Sequence, residues 1–398
     1  MYPRISDFVN DVLGTDWVWP VQSFGFFLGL VFIVGYYIAR YEFRRKEAEG
    51  IFHVQRKTIT SGGPIPLQSI LINVVVMGLI GYKLGLWIED YSFHVRNPQE
   101  AMFSLKGSWL WAFISGGLTT ASQYWSWNRQ KDTEPQKQTI RWSISDELGT
   151  IFTIAFVGGV LGAKIFHNLE YWEDFVADPM GSLLSFSGLT FYGGLICAAV
   201  GIGYYVVKKG YPLLPFADVA APILMLGYGI GRMGCQVSGD GDWGIVNTAS
   251  KPDWLNFMPD WVWAYNYPHN VLNYGIPIPG CEGDFCHQLA QPVFPTPIYE
   301  ITLAFIIFAF LWSIRKKLPF WGQLSGIYLF FNGLERFWIE KIRVNSTYDL
   351  ASFEITQAEI ISSILMIFGI LLFYLSTKVW KLNMDKPRLF PRKEATDG

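Results

Sequence analysis

The residues best placed to do chemistry are ionisable side chains set inside apolar runs. Arg232 interrupts the Gly-rich end of an apolar segment, GYGIGRMGCQVSGDGDWG (227–244), with Cys235, Ser238, Asp240, Asp242 and Gly244 behind it. Arg336, Glu340 and Arg343 follow one another in GLERFWIEKIR (333–343) at i, i+4 and i+7, so they share one helix face. Lys164 and His167 close GGVLGAKIFH (158–167), Tyr192 lies in GLTFYGGLI (188–196), and Tyr299 and Glu300 sit in PTPIYEI (295–301). A charge in an apolar span is costly, so each marks a candidate functional position. Planar guanidiniums suit phosphate. Two arginines and a lysine converging from three spans therefore point to a phosphate-bearing ligand. The plainer readings are an Arg–Glu pair that only fixes helix packing, and an Arg343 that snorkels to headgroups.

The same stretch admits other readings. Gly229, Gly231 and Gly234 suit close helix packing or close ligand approach. The turn after Ser238 could simply be a helix end with a Gly stop. DGDWG (240–244) has too few carboxylates for a calcium loop and no later Glu at the required place. Cys235 has no Cys or His at zinc spacing. No metal and no cofactor is expected.

The elements that must position these residues are membrane helices. Of 398 residues, 51% are apolar and only 16% charged, against about 25% charged in soluble domains. The net charge of −2 gives no reason to expect nucleic acid. Apolar blocks long enough to span, roughly 20 residues each, predict an all-α polytopic membrane protein. Nine spans are expected near 20–40, 67–88, 107–124, 147–167, 183–207, 215–236, 296–315, 320–341 and 357–378, the third weakened by Ser and Thr. The start, MYPRISDFVNDVLGTDW, lacks the pattern of a cleavable signal peptide. Lys and Arg gather after spans 1, 3, 5, 7 and 9, which predicts an outside N-terminus and a cytoplasmic C-terminus. Trp17, Trp19, Tyr171, Trp172, Trp338 and Trp380 fit an interfacial aromatic belt. In this topology Lys164, Tyr192, Arg232, Cys235, Tyr299, Glu300, Arg336, Glu340 and Arg343 all fall near the outer surface.

The chain divides into an N-terminal segment with span 1 (1–57), a helical hairpin (58–145), core spans 4–6 (146–236), an external cap (237–294), core spans 7–9 (295–378) and a basic tail (379–398). The cap is 58 residues long and rich in Trp, Pro and Gly, too long for a plain connector. Its Cys281 and Cys286 are either a disulfide or two thiols; Cys197, inside span 5, reads as packing. An offset of 81 aligns 78–107 with 159–188 at eight positions, among them Gly78/Gly159, Gly81/Gly162, Lys83/Lys164, Glu89/Glu170 and Pro98/Pro179. Spans 2–3 thus read as a structural copy of spans 4–5.

GRMGCQVSGDGDWG is similar to the signature of prolipoprotein diacylglyceryl transferases, in which Gly-Arg-x-Gly-Asn precedes a polar turn with an acidic residue and a Gly. GGVLGAKIFH resembles that family's Gly-rich helix with a basic residue, and GLTFYGGLI its His-Gly-Gly segment. PTPIYEI and GLERFWIEKIR resemble its Tyr-Glu and Arg-x-x-x-Glu segments, and SFGFFLGLVFIVGYYIA its first helix. The resemblance covers about 20–45 and 147–378; residues 58–145 match no part of the usual seven-span pattern. It implies transfer of diacylglycerol from phosphatidylglycerol to the thiol of a lipobox Cys in a prolipoprotein, at the outer face of the bacterial inner membrane, with release of glycerol phosphate. The implied partners are phosphatidylglycerol, prolipoprotein precursors and membrane lipids. Arg232 and Arg336 would stabilise the departing phosphate, Glu300 and Glu340 would hold them, and Lys164, Cys235, Ser238, Asp240, Asp242, Gly244, Tyr299 and Arg343 would line the substrate site. Four positions depart from the pattern: Tyr192 replaces the family's His, Cys235 its Asn, Phe24 the Tyr of its first helix, and the acidic residue is either Asp240 or Asp242. The general base is then Tyr192, activated by a neighbouring Arg, or His269 or His287 of the cap. The alternative is a non-catalytic phospholipid-binding or transport protein on the same scaffold.

Overall fold

The computed structural model of the chain describes residues 1–61, 66–91, 95, 105–130, 136–184, 190–344, 347–350 and 353–383. Pro98, Ser104, Ser185 and Gly188 of the internal repeat, and most of the basic tail, lie outside them. The helices are α1 (Ile5–Leu13), α2 (Ser23–Ala48), α3 (Leu67–Glu89), α4 (Trp109–Gln130), α5 (Leu148–Glu170), α6 (Phe191–Lys208), α7 (Leu213–Ser238), α8 (Thr296–Ile314), α9 (Gln323–Glu340) and α10 (Gln357–Asn383). Helices α2 to α10 occupy the places of the expected spans. Six of them, α2, α3, α5, α7, α8 and α10, are long and apolar enough to cross a membrane. That supports a polytopic helical membrane protein, with six spans by length and composition against the nine expected. The other three fall short for visible reasons. Ser115, Thr119, Thr120 and Ser122 dilute α4, the apolar run of α6 is only Tyr192–Lys208, and α9 carries Glu335, Arg336 and Glu340.

The described residues form two compact units, 1–17 with 21–51 and 210–398, and 18–20 with 52–209. In the first, α7 packs against α2, α8 and α9, and α10 lies along α9. Met225, Ala304, Ile307, Leu311 and Leu324 form its apolar centre. Helices α9 and α10 approach closely because glycines face the partner backbone: a Cβ on Gly333 would lie 2.6 Å from the Ser362 carbonyl oxygen, and one on Gly326 2.7 Å from that of Gly369. Contacts fix the directions. Asp218, early in α7, meets Gly322 and Ser325 at the start of α9, so these two helices run the same way. Helices α2, α8 and α10 run the other way.

The cap (239–295) is held by Tyr267, Leu289 and Val293, by a short ribbon of Ile276–Pro277 with His287–Gln288, and by a Cys281–Cys286 disulfide. The open question over these two cysteines is thus answered by a bond. The chain's terminal ammonium donates to the Pro268 carbonyl at 2.9 Å.

In the second unit, strands Gln55–Ser61 and Gln136–Trp142 pair antiparallel over their full length, so entry to and exit from the α3–α4 hairpin are zipped together. This ribbon was not foreseen, because its strands are some 75 residues apart in sequence with no turn between them. The hairpins α3–α4 and α5–α6 repeat each other's contacts. Ser108 N–H donates to the Tyr82 carbonyl at 2.9 Å, as Thr190 N–H does to Ala163 at 3.1 Å. The Ser108 hydroxyl binds Glu89, as that of Thr190 binds Glu170. A Cβ on Gly81 would strike Trp111 O and Ser115, just as one on Gly162 would strike Gly193 O and Cys197.

Candidate active site

The first unit brings one end of α7, α8 and α9 together. Because α8 runs against its neighbours, its first turn meets their last turns. Glu300, in that first turn, is completely buried. A buried carboxylate without partners would cost several kcal/mol, and Glu300 is surrounded by donors. The Arg232 Nε pairs with its Oε2, Arg343 Nη1 donates to its Oε1 at 3.2 Å, and the Tyr228 hydroxyl donates to Oε2 at 2.9 Å. Arg336 Nη1 lies 3.9 Å from Oε1, too far for a hydrogen bond. Arg336 Nη2 pairs instead with Glu340 at 3.0 Å, one helical turn on.

A second carboxylate closes the cluster from the loop side. Asp242 binds Arg232 through one oxygen and Arg343 through the other. Its position depends on Gly244. There the chain bridges to Arg343, and a Cβ would come within 2.4 Å of the Ile342 carbonyl oxygen. Ile245 N–H donates to that same carbonyl at 2.9 Å, and the Thr296 hydroxyl donates to the Asp242 carbonyl at 2.6 Å. Burial pushes the Asp242 carboxyl up, but the guanidiniums of Arg232 and Arg343 outweigh it and bring it down to about 2. Asp240 moves the opposite way, raised by burial and then by the Asp242 charge. For Arg343, burial works against the charge, yet Asp242 and Glu300 carry the balance and raise it.

The other expected residues divide. Cys235 is buried, with its sulfur 3.7 Å from Arg232 Nη1. With Asp240 and Asp242 it places candidate metal ligands within 4.8 Å of one another; two guanidiniums already hold Asp242 and oppose a cation there. Ser238 turns back into its own helix, donating to Gly234 O at 2.8 Å. Tyr299 points to the cap, its hydroxyl 3.5 Å from Trp263 O. His269 and His287 are engaged within the cap, with Phe285 O at 2.7 Å and Asn273 at 3.4 Å. Lys164, buried in α5, and Tyr192, in the first turn of α6, belong to the second unit.

Two members of the cluster were not anticipated. Tyr228 bridges Glu300 and, at 3.3 Å, Glu335, and its ring lies under the Arg232 guanidinium at 5.2 Å. Its signal was spacing, four residues before Arg232. Glu335 sat next to Arg336 with no reason in the sequence to point inward. Among the described residues, Arg336 Nη1 and Glu335 Oε2 are buried polar atoms with no hydrogen-bond partner. Buried polar atoms in native folds are nearly always hydrogen-bonded, which sets these two apart.

A family model for prolipoprotein diacylglyceryl transferase matches residues 109–375. The chain belongs to the prolipoprotein diacylglyceryl transferase family. The match takes in α4 and the whole candidate site and leaves out α2. Proteins named phosphatidylglycerol–prolipoprotein diacylglyceryl transferase are similar over most of their length. One from Dehalococcoides mccartyi is 30% identical over 56% of this chain and 74% of its own. One from Vibrio campbellii is 30% identical over 62% and 79%, and one from Aeromonas hydrophila 29% over 67% and 83%.

Proposed function

We propose that this protein is a phosphatidylglycerol–prolipoprotein diacylglyceryl transferase of the bacterial inner membrane. The observation that carries the reading is the set of three guanidiniums, Arg232, Arg336 and Arg343, converging on Glu300, with a donor of Arg336 left unsatisfied. In the reaction the lipobox thiol loses its proton, its sulfur forms a bond to the glyceryl carbon, and the bond from that carbon to the phosphate oxygen breaks. Glycerol phosphate leaves carrying one more negative charge than the diester. Arginines fixed beforehand by carboxylates stabilise that charge without reorganising. Arg336 is the principal ligand, because Glu340 orients it while Nη1 stays available, and Arg232 assists it; Lys164 is assigned to the headgroup by the sequence resemblance alone. By the sequence resemblance alone, Tyr192, in the place of the family's His, is the candidate for the proton-accepting group. Asp242 and Gly244 form the rim.

The Lys and Arg distribution supports an N-terminus outside and a C-terminus in the cytoplasm. The disulfide suits a cap in an oxidising compartment. The recurring contacts support reading 58–145 as a duplicated hairpin with a structural role.

The test incubates membranes holding the full chain with phosphatidylglycerol and a labelled lipobox peptide. Lipid transfer to the peptide thiol is expected, with complementation of a strain depleted of its own transferase. In folded Arg336→Ala transfer should fall at least about a hundredfold and complementation should fail; transfer at the wild-type rate overturns the assignment. Tyr192→Phe tests the base in the same assay. Failure of the wild type in both formats would favour the non-catalytic lipid-binding alternative.

A further inference from the structure

A second cluster of arginines lies at the other end of the first unit. The start of α2 faces the Arg232 end of α7, since a Cβ on Gly234 would lie 3.2 Å from Phe27. The last turns of α2 lie instead beside the end of α8 and the start of α9: Arg315 Nε meets Glu42 at 3.3 Å, and Lys46 Nζ stands 4.2 Å over the Trp321 ring. There Tyr37, Arg40, Tyr41, Arg44 and Arg45 line an open groove of about 470 Å³. Their spacing puts the two tyrosines and the arginines on one face of α2.

No carboxylate lines this groove. The acidic groups beside it are already taken. Glu42 is buried between Arg45 and Arg315, and Glu49 is bound by Arg45 and Lys46. Arg40 and Arg44 form no ion pair among the described residues. Two forked guanidiniums four residues apart, flanked by exposed Tyr37 and Tyr41, present donors for a phosphate and amphipathic rings at headgroup level.

We infer that this groove binds the headgroup of an anionic phospholipid, in the leaflet opposite the one that faces the Arg336 cluster. Charge-assisted hydrogen bonds from two guanidiniums to one phosphate add roughly tenfold or more in affinity. Only the assignment of leaflets rests on the topology above; the groove's preference for an anionic lipid does not depend on the transferase activity.

The detergent-purified full chain is titrated with phosphatidylserine, and with phosphatidylcholine as the zwitterionic control, with retained lipid counted by native mass spectrometry. Wild type should retain phosphatidylserine in preference to phosphatidylcholine. The double variant R40Q/R44Q should weaken phosphatidylserine at least tenfold, keep its melting temperature, and leave peptide lipidation by phosphatidylglycerol unchanged. R129Q, which removes a basic residue on α4, should keep wild-type binding. Equal retention of the two lipids by wild type, undiminished binding in R40Q/R44Q, or an equal loss in R129Q overturns the inference. A loss of lipidation with binding intact would count against the transferase reading alone.

Discussion

The first unit buries a carboxylate at each end of α7, and the two are treated differently. Asp218 accepts from the Gly322 N–H at 2.7 Å, the Ser325 N–H at 2.8 Å and the Ser325 hydroxyl at 2.7 Å. These are the orphan donors of the first turn of α9, and Asp218 does for them what an N-cap side chain does. Every partner belongs to the start of one helix, and neither oxygen is left over. Glu300 is held by long side chains from α7, α9 and the chain beyond α9, and the cluster around it retains the orphaned Arg336 Nη1 and Glu335 Oε2. A satisfied buried carboxylate stabilises a fold. One whose arginines keep a spare donor suits the anion-binding role proposed above.

The sharpest way to break this contrast is to remove both carboxylates in turn. Glu300→Ala leaves three guanidiniums crowded without their shared anion and should cost about 3–5 kcal/mol, the range for uncoupling a buried pair. Little folded protein and no lipid transfer are expected, read by melting in detergent and by peptide lipidation. Asp218→Ala loses a helix cap and should cost about 1–2 kcal/mol. A larger loss from Asp218→Ala than from Glu300→Ala would erase the distinction.

Arg336→Ala separates catalysis from folding. If Arg336 stabilises the leaving phosphate as proposed, transfer should fall by about 10²–10³, as when one preorganised donor is deleted. Melting should move far less than in Glu300→Ala, because Arg336 stands farthest from Glu300 of the three arginines, at 3.9 Å. Asp218→Asn is the mirror case. It keeps an acceptor for the α9 donors, and should lower the melting temperature by a few degrees while leaving the rate of the folded fraction as in wild type. A slow but stable Asp218→Asn would place that end of the bundle in the reaction.

Much of this was readable in the residue order. Apolar runs of membrane length gave the helix positions, and the i, i+4, i+7 spacing gave the Arg336, Glu340, Arg343 face. The pairing of Glu300 with Arg232 follows from residues at matching depths in antiparallel helices, and that of Glu340 with Arg336 from their i, i+4 spacing on one helix. What could not be read depends on rotation about a helix axis or on distant partners. Glu335 is adjacent to Arg336 in sequence, yet whether it faces protein or lipid is a packing outcome. Asp218 looked like an ordinary residue near a span's start, because its donors lie more than 100 residues away in α9. The sequence could not choose between Asp240 and Asp242. The structure separates them by contact, since only Asp242 bridges Arg232 and Arg343.

The smallest effect is the most discriminating, because it sets these two neighbouring aspartates against each other. With its carboxyl at about 2 in the fold and near 3.9 in an unfolded chain, Asp242 contributes stability that is complete above about pH 4 and is lost as the pH falls towards 2. Asp240, raised in the fold, acts with the opposite sign: the folded state holds its proton longer, so its contribution declines as the pH rises above about 4. Melting of wild type, Asp242→Asn and Asp240→Asn from pH 2 to 7 should show this directly. Asp242→Asn should flatten the acid limb between pH 4 and 2, and Asp240→Asn should gain on wild type towards neutrality. If instead Asp240→Asn flattens the acid limb, Asp240 is the residue held by the arginines, and the rim of the phosphate site shifts by two residues along the turn.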